Sequence, residues 1–169
     1  MTDDLRDLYQ DLILDHGKHP RNFHALASAN HEALGYNPLC GDKINLYVSV
    51  DNKGVIQDVG FQGSGCAISV ASASMMSEML KGKTTEEAAR LFDYLHNSCT
   101  GQAADATGLD EDAVDRIKAL SGVRDYPIRV KCATLAWHTL QAALRNEKKA
   151  STEGDGGEPP QADFIEGLR

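Results

Sequence analysis

The stretch KINLYVSVDNKGVIQDVGF, residues 43–61, contains two apolar segments separated by a polar turn. Its first half places an apolar side chain at every second position, namely at Ile44, Leu46, Val48 and Val50. This is the period of a β-strand with one buried face. The residues DNKG at 51–54 are typical of a turn, so the second apolar segment can return beside the first as a hairpin. The apolar face of such a hairpin needs helices to cover it.

Segments with helical patterns lie on both sides of this hairpin. Before it, residues 3–15 have apolar side chains at helical spacing, and Pro20 prevents the helix from continuing. After it, CAISVASASMMSEML at 66–80 is rich in small residues, which predicts a closely packed helix with Cys66 as its first residue.

Three further helices are predicted in the second half of the chain. They run from Thr84 to about Leu95, from Asp110 to Leu120 and from about Cys132 to Lys148, with a loop at 96–109. Tyr126-Pro127 marks a non-helical approach to the last of them. The pattern predicts an α+β fold in which a small antiparallel sheet packs against helices.

The domain organisation is predicted from a change in composition near residue 150. Residues 1–149 form the folded domain, and residues 150–169 lose the apolar periodicity and gain glycine, serine, acidic residues and a proline pair. This is the composition of a disordered segment. Residues 151–169 carry −4 of the formal net charge of −8, so we expect an acidic, disordered tail.

Charge and hydropathy exclude several classes of protein. A net charge of −8 argues against a nucleic-acid partner, because such proteins usually display a basic face to phosphates. No apolar run reaches the roughly 18 residues of a membrane span, and the acidic N-terminal segment does not resemble a signal peptide. We therefore expect a cytoplasmic protein without a membrane partner. Its four cysteines then point to metal binding or thiol chemistry rather than disulfides.

Three of the cysteines lie where the predicted structure changes. Cys40 is in a loop before a strand, whereas Cys66 and Cys132 are each predicted at a helix start, where the helix dipole favours thiolate. Asp42 follows Cys40 across a glycine and can complete a tetrahedral metal site. The alternative is that these cysteines are buried singly as small apolar side chains.

A site with three thiolates and one carboxylate around Zn²⁺ has a formal charge of −2. Neighbouring cations can offset this charge, and Lys43, Arg129 and Lys131 lie nearby in the sequence. Arg129 is also a candidate for steering an attacking thiol.

Three motifs around these cysteines closely resemble those of one protein family. NPLCGD at 37–42, GSGCAISVASASMM at 63–76 and RVKCATLAWH at 129–138 are similar to the cysteine motifs of the SufU branch of the IscU/NifU-N family. The segment LYQDLILDHGKHPRN at 8–22 resembles the N-terminal segment of that family. The similarity spans most of residues 5–145.

The resemblance implies a fold, a metal and a reaction. The fold is the family's compact α+β domain, with about three antiparallel strands. The metal is zinc, with Cys40, Asp42, Cys66 and Cys132 as ligands. Cys40 would accept persulfide sulfur from a SufS-type cysteine desulfurase, and the sulfur would pass to downstream SUF cluster assembly proteins.

Two departures from IscU-type scaffolds favour the SufU branch. Those scaffolds typically carry a histidine just before the third cysteine, where this chain has Lys131. The stretch from Gly82 to Asp125 resembles the insertion that separates SufU proteins from IscU proteins.

Three functions stay open at this point. The first is a zinc-dependent sulfurtransferase that acts together with a desulfurase. The second is a non-enzymatic scaffold that assembles a [2Fe-2S] cluster on the same ligands, since thiolates also suit iron-sulfur chemistry. The third is a zinc-stabilised interaction domain. Cys99 and His138 are left out of the site, Cys99 because it lies in no motif and His138 because helix geometry turns it away from Cys132.

Overall fold

The structure is a computed structural model, and it describes residues 3–152 of the chain. The helices are α1 Asp3–Lys18, α2 Ala67–Met79, α3 Thr85–Cys99, α4 Glu111–Leu120 and α5 Pro127–Leu144, with a short 3-10 helix at Ser121–Asp125. The strands are β1 His31–Asn37, β2 Asp42–Val50, β3 Ile56–Ser64 and β4 Lys149–Ser151. This arrangement confirms the predicted α+β class.

The predicted hairpin is the β2–β3 pair at the start of the sheet, whose strand order is β3-β2-β1-β4. The pairs β1–β2 and β2–β3 are antiparallel, as predicted. In the turn, the Asp51 carboxylate accepts hydrogen bonds from the N–H groups of Lys53 and Val55, and Gly54 adopts a positive φ of 80°. The DNKG sequence therefore forms the expected turn through an aspartate side chain and a glycine.

The sheet contains two strands that the sequence analysis did not predict. The strand β1 precedes the hairpin, and the short β4 pairs with β1 in parallel, so the sheet is mixed rather than wholly antiparallel. The strand β4 crosses the predicted domain boundary at residue 150. Residues 153–169 of the predicted tail lie outside the described residues.

The helix starts predicted in the second half of the chain are confirmed for α3 and α4. The Thr84 hydroxyl accepts a hydrogen bond from the Glu87 N–H, and the Asp110 carboxylate accepts one from the Asp112 N–H. Both are N-cap interactions that satisfy backbone donors at the beginning of a helix. The small-residue helix α2 begins at Ala67, with Cys66 as its N-cap.

The predicted bounds of two helices are wrong. The helix α3 continues through part of the predicted loop to Cys99, because Leu91, Leu95 and Cys99 extend the buried stripe at intervals of four residues. The helix α5 begins at Pro127 rather than near Cys132, since proline is well tolerated in the first helical turn. The same helix ends at Leu144 rather than Lys148, since the chain turns at Asn146, whose φ is 60°.

The core lies between the sheet and the helices. The predicted inward strand residues Ile44, Leu46, Val48, Val59 and Phe61 are buried together with Trp137, Met75 and Met76. The Trp137 indole donates to the Ser72 hydroxyl, which donates in turn to the Ala133 carbonyl, and so joins α2 to α5. Within residues 3–152, no helix is both long enough and apolar enough to cross a membrane.

Candidate metal centre

Four separate elements carry the predicted ligands. Cys40 lies in the turn between β1 and β2, and Asp42 is the first residue of β2. Cys66 is the N-cap of α2, and Cys132 lies in the second turn of α5. The β2–β3 pairing and the packing of α2 and α5 bring these elements to one end of the sheet.

Three of the four predicted ligands form a compact cluster. One ligand atom each from Cys40, Asp42 and Cys132 lie within 4.8 Å of one another. The sulfur atoms of Cys132 and Cys40 are 3.3 Å apart. Two sulfurs bound to one zinc ion at about 2.3 Å each are about 3.8 Å apart in a tetrahedron, so this spacing needs little change to accept the ion.

Cys66 is not part of that compact group, but its thiol interacts with the same residues. Interaction with the Cys132 thiol lowers the pKa of Cys66 to about 6, against the effects of burial and of the Asp42 charge. The backbone N–H groups of Ser69 and Ile68 at the start of α2 also lower this pKa. Cys66 therefore favours thiolate, which is the form that binds metal.

Cys132 has the opposite preference, which corrects the expectation that a helix start would ionise it. Its thiol interacts with the thiol of Cys66, and this contact, together with burial and the neighbouring Cys40 and Asp42, raises the pKa of Cys132. The residue lies beyond the first turn of α5, where the Ile128 carbonyl is 3.6 Å from its sulfur. A bound cation in the place of this proton would favour the thiolate.

Asp42 is held in place by two hydrogen bonds within the buried part of the centre. One carboxylate oxygen accepts from the Cys66 backbone N–H at 2.9 Å, and the other accepts from the Asn37 side-chain amide at 3.1 Å. The carboxylate is fully buried. Its charge is thus compensated by donors and is available to a metal ion.

Sequence reasoning missed two residues of this centre. Asn37 opens the NPLCGD motif, and its amide nitrogen also lies 3.6 Å from the Cys132 sulfur. Gly65 leaves room for Asp42, since a Cβ atom there would contact the Asp42 carboxylate. The motifs contain both residues, but only the tertiary contacts reveal their roles.

Arg129 lies beside the centre, as its place in the sequence predicts. The charge of Cys66 and the sulfur of Cys132 raise the pKa of the exposed Arg129 guanidinium. A permanently charged side chain at this position offsets the negative charge of the thiolates.

Cys99 and His138 lie elsewhere, as expected. Cys99 is fully buried in the core, where burial raises the pKa of its thiol to about 12. The His138 ring packs against Phe92, with ring centroids 5.2 Å apart, and lies near His96. Burial, together with the His96 charge, lowers the pKa of His138.

The NifU-like N-terminal domain family matches residues 8–133, a span that includes Cys40, Asp42, Cys66 and Cys132. The chain belongs to this family. The resemblance predicted from the cysteine motifs to the IscU/NifU-N proteins of iron-sulfur cluster assembly is thereby confirmed.

Two of the similar proteins match most of the chain. The zinc-dependent sulfurtransferase SufU of Bacillus subtilis is 38% identical over 146 residues, which are 85% of this chain and 94% of that protein. The iron-sulfur cluster assembly scaffold protein IscU of Streptococcus pyogenes is also 38% identical over 146 residues, covering 86% of this chain and 88% of that protein. Equal identity to both means that identity alone does not choose between the two activities.

A solved structure supports the same fold. The crystal structure of FiSufU from Fervidobacterium islandicum, named as a scaffold protein for the SUF system, superimposes with a TM-score of 0.72 at 36% identity. The match covers 82% of this chain and 98% of that one.

Proposed function

We propose that this chain is a cytoplasmic, zinc-dependent sulfurtransferase of iron-sulfur cluster assembly. It accepts persulfide sulfur on Cys40 from a SufS-type cysteine desulfurase and delivers it to downstream SUF proteins. The observation that carries this proposal is the unequal exposure of the ligand set. Cys40 is partly exposed on a turn, whereas Asp42 and Cys132 are buried beneath it.

Cys40 is the ligand best placed to move. It precedes Gly41, whose φ of 70° lies in the left-handed region, and a Cβ atom at Gly41 would meet no atom of residues 3–152 within 4 Å. The other partly exposed thiol, Cys66, is anchored at the start of α2. A glycine-containing turn can change its backbone conformation at lower cost than a helix end, so Cys40 can approach an external donor while the other ligands stay in place.

The donor set fits zinc. Cys40, Asp42, Cys66 and Cys132 would hold the ion, and three sulfurs with one oxygen suit its tetrahedral preference. When bound, zinc would keep the thiols ionised at neutral pH. Arg129 would offset part of the charge of that site.

The transfer step is a thiol exchange that balances without an added oxidant or reductant. The Cys40 thiolate attacks the terminal sulfur of the cysteine persulfide on the desulfurase. A sulfur–sulfur bond forms on Cys40 while the one on the donor breaks. The electron pair leaves with the donor cysteine, which becomes a thiolate and takes up a proton, and Cys40 retains the persulfide.

Exposed apolar side chains near the centre support a protein partner rather than a small-molecule sulfur donor. Leu39, next to Cys40, is 54% exposed, and Ile128, whose carbonyl faces Cys132, is 56% exposed. Large apolar side chains at the rim of a reactive site suit burial against a second protein.

The test is to incubate the zinc-loaded chain with a SufS-type desulfurase and cysteine, followed by mass analysis of its peptides. We expect one added sulfur on the peptide that contains Cys40 and faster desulfurase turnover. Cys40→Ser should return turnover to the level of the desulfurase alone, since a serine hydroxyl does not supply the attacking thiolate.

Cys99→Ala is the matched control for this test, because Cys99 is a buried thiol outside the centre. Cys99→Ala should retain both the added sulfur on the Cys40 peptide and the faster desulfurase turnover. Sulfur found only on Cys66 or Cys132, or full stimulation by Cys40→Ser, would contradict the proposed acceptor.

The second candidate is a scaffold for a [2Fe-2S] cluster, which the same thiolate set would also suit. It is favoured by the equal identity to a protein named as an IscU scaffold. Metal analysis of protein purified without air separates the two functions. One zinc per chain without acid-labile sulfide supports the sulfurtransferase. Iron and acid-labile sulfide in equal amounts, as in a [2Fe-2S] cluster, support the scaffold.

A further inference from the structure

We propose that Asn37 and Thr152 are positioning residues of the metal centre, through which the strand β4 orients the buried ligands. This inference rests on the proposed metal-binding function and adds two residues that act through the ligands rather than on the metal. They form a chain of contacts from the end of β4 to Asp42 and Cys132.

Asn37 lies at the centre of this chain of contacts. It is the last residue of β1, pairs with Asp42 in the strand register and is fully buried. Its amide nitrogen lies 3.1 Å from an Asp42 carboxylate oxygen and 3.6 Å from the Cys132 sulfur. A single side chain thus donates to two predicted ligands that come from different elements.

The orientation of the Asn37 amide decides whether these contacts are favourable. An asparagine side chain has a nitrogen that donates two hydrogen bonds and an oxygen that only accepts. With the nitrogen toward Asp42 and Cys132, its N–H groups donate to both ligand atoms and hold them in place. A reversed amide would point its oxygen at a carboxylate and a thiolate, which would be repulsive.

Thr152 holds the oxygen end of the Asn37 amide. Its hydroxyl donates to the Asn37 side-chain oxygen at 3.0 Å, while the Asn37 nitrogen donates to the ligands. The Thr152 backbone N–H donates to the Tyr36 carbonyl at 3.2 Å, which places the residue beside the end of β1. The parallel pairing of β4 with β1 brings Thr152 to this position.

Residues that hydrogen-bond to metal ligands affect metal affinity because they hold those ligands in the orientation that the metal needs. Loss of such a contact typically weakens metal binding by about 10-fold to 100-fold. The remaining Asp42 oxygen accepts from the Cys66 N–H, so the Asn37 contact is the second of two that hold the carboxylate.

The experiment measures zinc affinity of the full chain by competition with a chromophoric chelator at one fixed pH. Thr152→Val keeps the shape and removes the hydroxyl, and we expect zinc affinity to fall about 10-fold. Thr152→Ser restores a hydroxyl and should bind zinc nearly as tightly as wild type. Thr100→Val is the matched control, because the exposed Thr100 hydroxyl bonds only to carbonyls at the end of α3 and should leave affinity unchanged.

Substitutions at Asn37 give an ordered series. Asn37→Ala removes the donor and should weaken zinc binding by about 10-fold to 100-fold. Asn37→Asp replaces it with a carboxylate beside Asp42 and Cys132, and should weaken binding further than alanine does. Zinc affinity that recovers in Thr152→Ser, together with weaker binding by Asn37→Asp than by Asn37→Ala, distinguishes a positioning role from a general loss of stability. Thermal melting of the zinc-free variants measures that stability.

Two outcomes overturn the inference. Zinc affinity of Thr152→Val equal to wild type would show that the hydroxyl does not act on the centre. If Thr152→Val and Thr152→Ser weaken zinc binding equally, the effect comes from strand packing and not from the hydroxyl. In both cases, zinc binding by the wild-type chain would still support the proposed metal site. If the wild-type chain binds no zinc, both the proposed site and this inference are wrong.

Discussion

At the scale of single residues, Gly65 shows how the absence of a side chain shapes the metal centre. It precedes Cys66 and lies against Asp42, whose carboxylate occupies the space that a Cβ atom would need. The same carboxylate accepts the Cys66 N–H. A larger residue at position 65 would therefore have to displace either a predicted ligand or the start of α2.

We predict that Gly65→Ala weakens zinc binding by about 10-fold or more and destabilises the fold by about 1–3 kcal/mol, the usual cost of forcing extra atoms against a packed neighbour. Chelator competition and thermal melting measure the two effects. Gly122→Ala is the control, since a Cβ atom at Gly122 would meet no atom within 4 Å in the part of the chain that the structure describes. Wild-type zinc affinity in Gly65→Ala would mean that Asp42 moves freely or is not a ligand.

At the scale of elements, a buried histidine joins α1 to α2. His16 is 3% exposed, and its Nδ1 lies 2.7 Å from the Ser74 hydroxyl. Its Nε2 is 3.8 Å from the Glu78 carboxylate, which also pairs with Arg116. Burial lowers the pKa of His16, with further lowering by Arg21 and Arg116 and partial opposition from Glu78 and Asp15.

This shift determines the sign of a pH dependence. Because folding lowers the pKa of His16, the unfolded chain takes up a proton before the folded chain does as the pH falls through about 6.5. The free energy of unfolding is then lower at acid pH. The stability of the α1–α2 contact is greatest above that pH and is lost progressively below it.

We predict that His16→Asn makes the melting temperature less dependent on pH between about 7.5 and 5, because the non-titrating amide removes one of the groups responsible. His24→Asn serves as the control, since His24 is exposed, and it should keep the wild-type slope. Thermal melting at several pH values measures both. An unchanged slope in His16→Asn would show that His16 does not contribute to the acid sensitivity.

At the scale of the whole molecule, the C-terminal segment divides into two parts. The strand β4 pairs with β1, and Thr152 contacts Asn37. The residues that follow have a glycine-rich, acidic composition with a proline pair. A sequence boundary at residue 150 therefore cuts through the element that reaches the metal centre.

We predict that deletion of residues 153–169 leaves zinc affinity and the melting transition unchanged, because that composition does not support packing. Deletion of residues 149–169 should instead weaken zinc binding, since it removes β4 and Thr152. Metal analysis and melting of the two truncated chains provide the comparison. A large loss of zinc in the shorter deletion would show that the acidic segment takes part in the fold or the site.

Local sequence patterns were sufficient to predict the α+β class, the β2–β3 hairpin, the N-caps of α3 and α4 and the elements that carry the four candidate ligands. Alternation, helical spacing and turn residues act over a few neighbouring positions, so they can be read without knowing the fold. The resemblance of the cysteine motifs added the family. The strands β1 and β4 lacked such patterns and escaped prediction.

The roles of Asn37, Gly65 and Thr152 became visible only in the folded chain. Each depends on contact with residues distant in sequence or across a strand pair: Thr152 meets Asn37, Asn37 meets Cys132, and Gly65 meets Asp42. The opposite pKa shifts of Cys66 and Cys132 arise in the same way, from one thiol placed against the other inside a buried centre. Hydrogen bonds and charge interactions depend on distance in space, and the packing of α2, α5 and β4 around the sheet sets those distances.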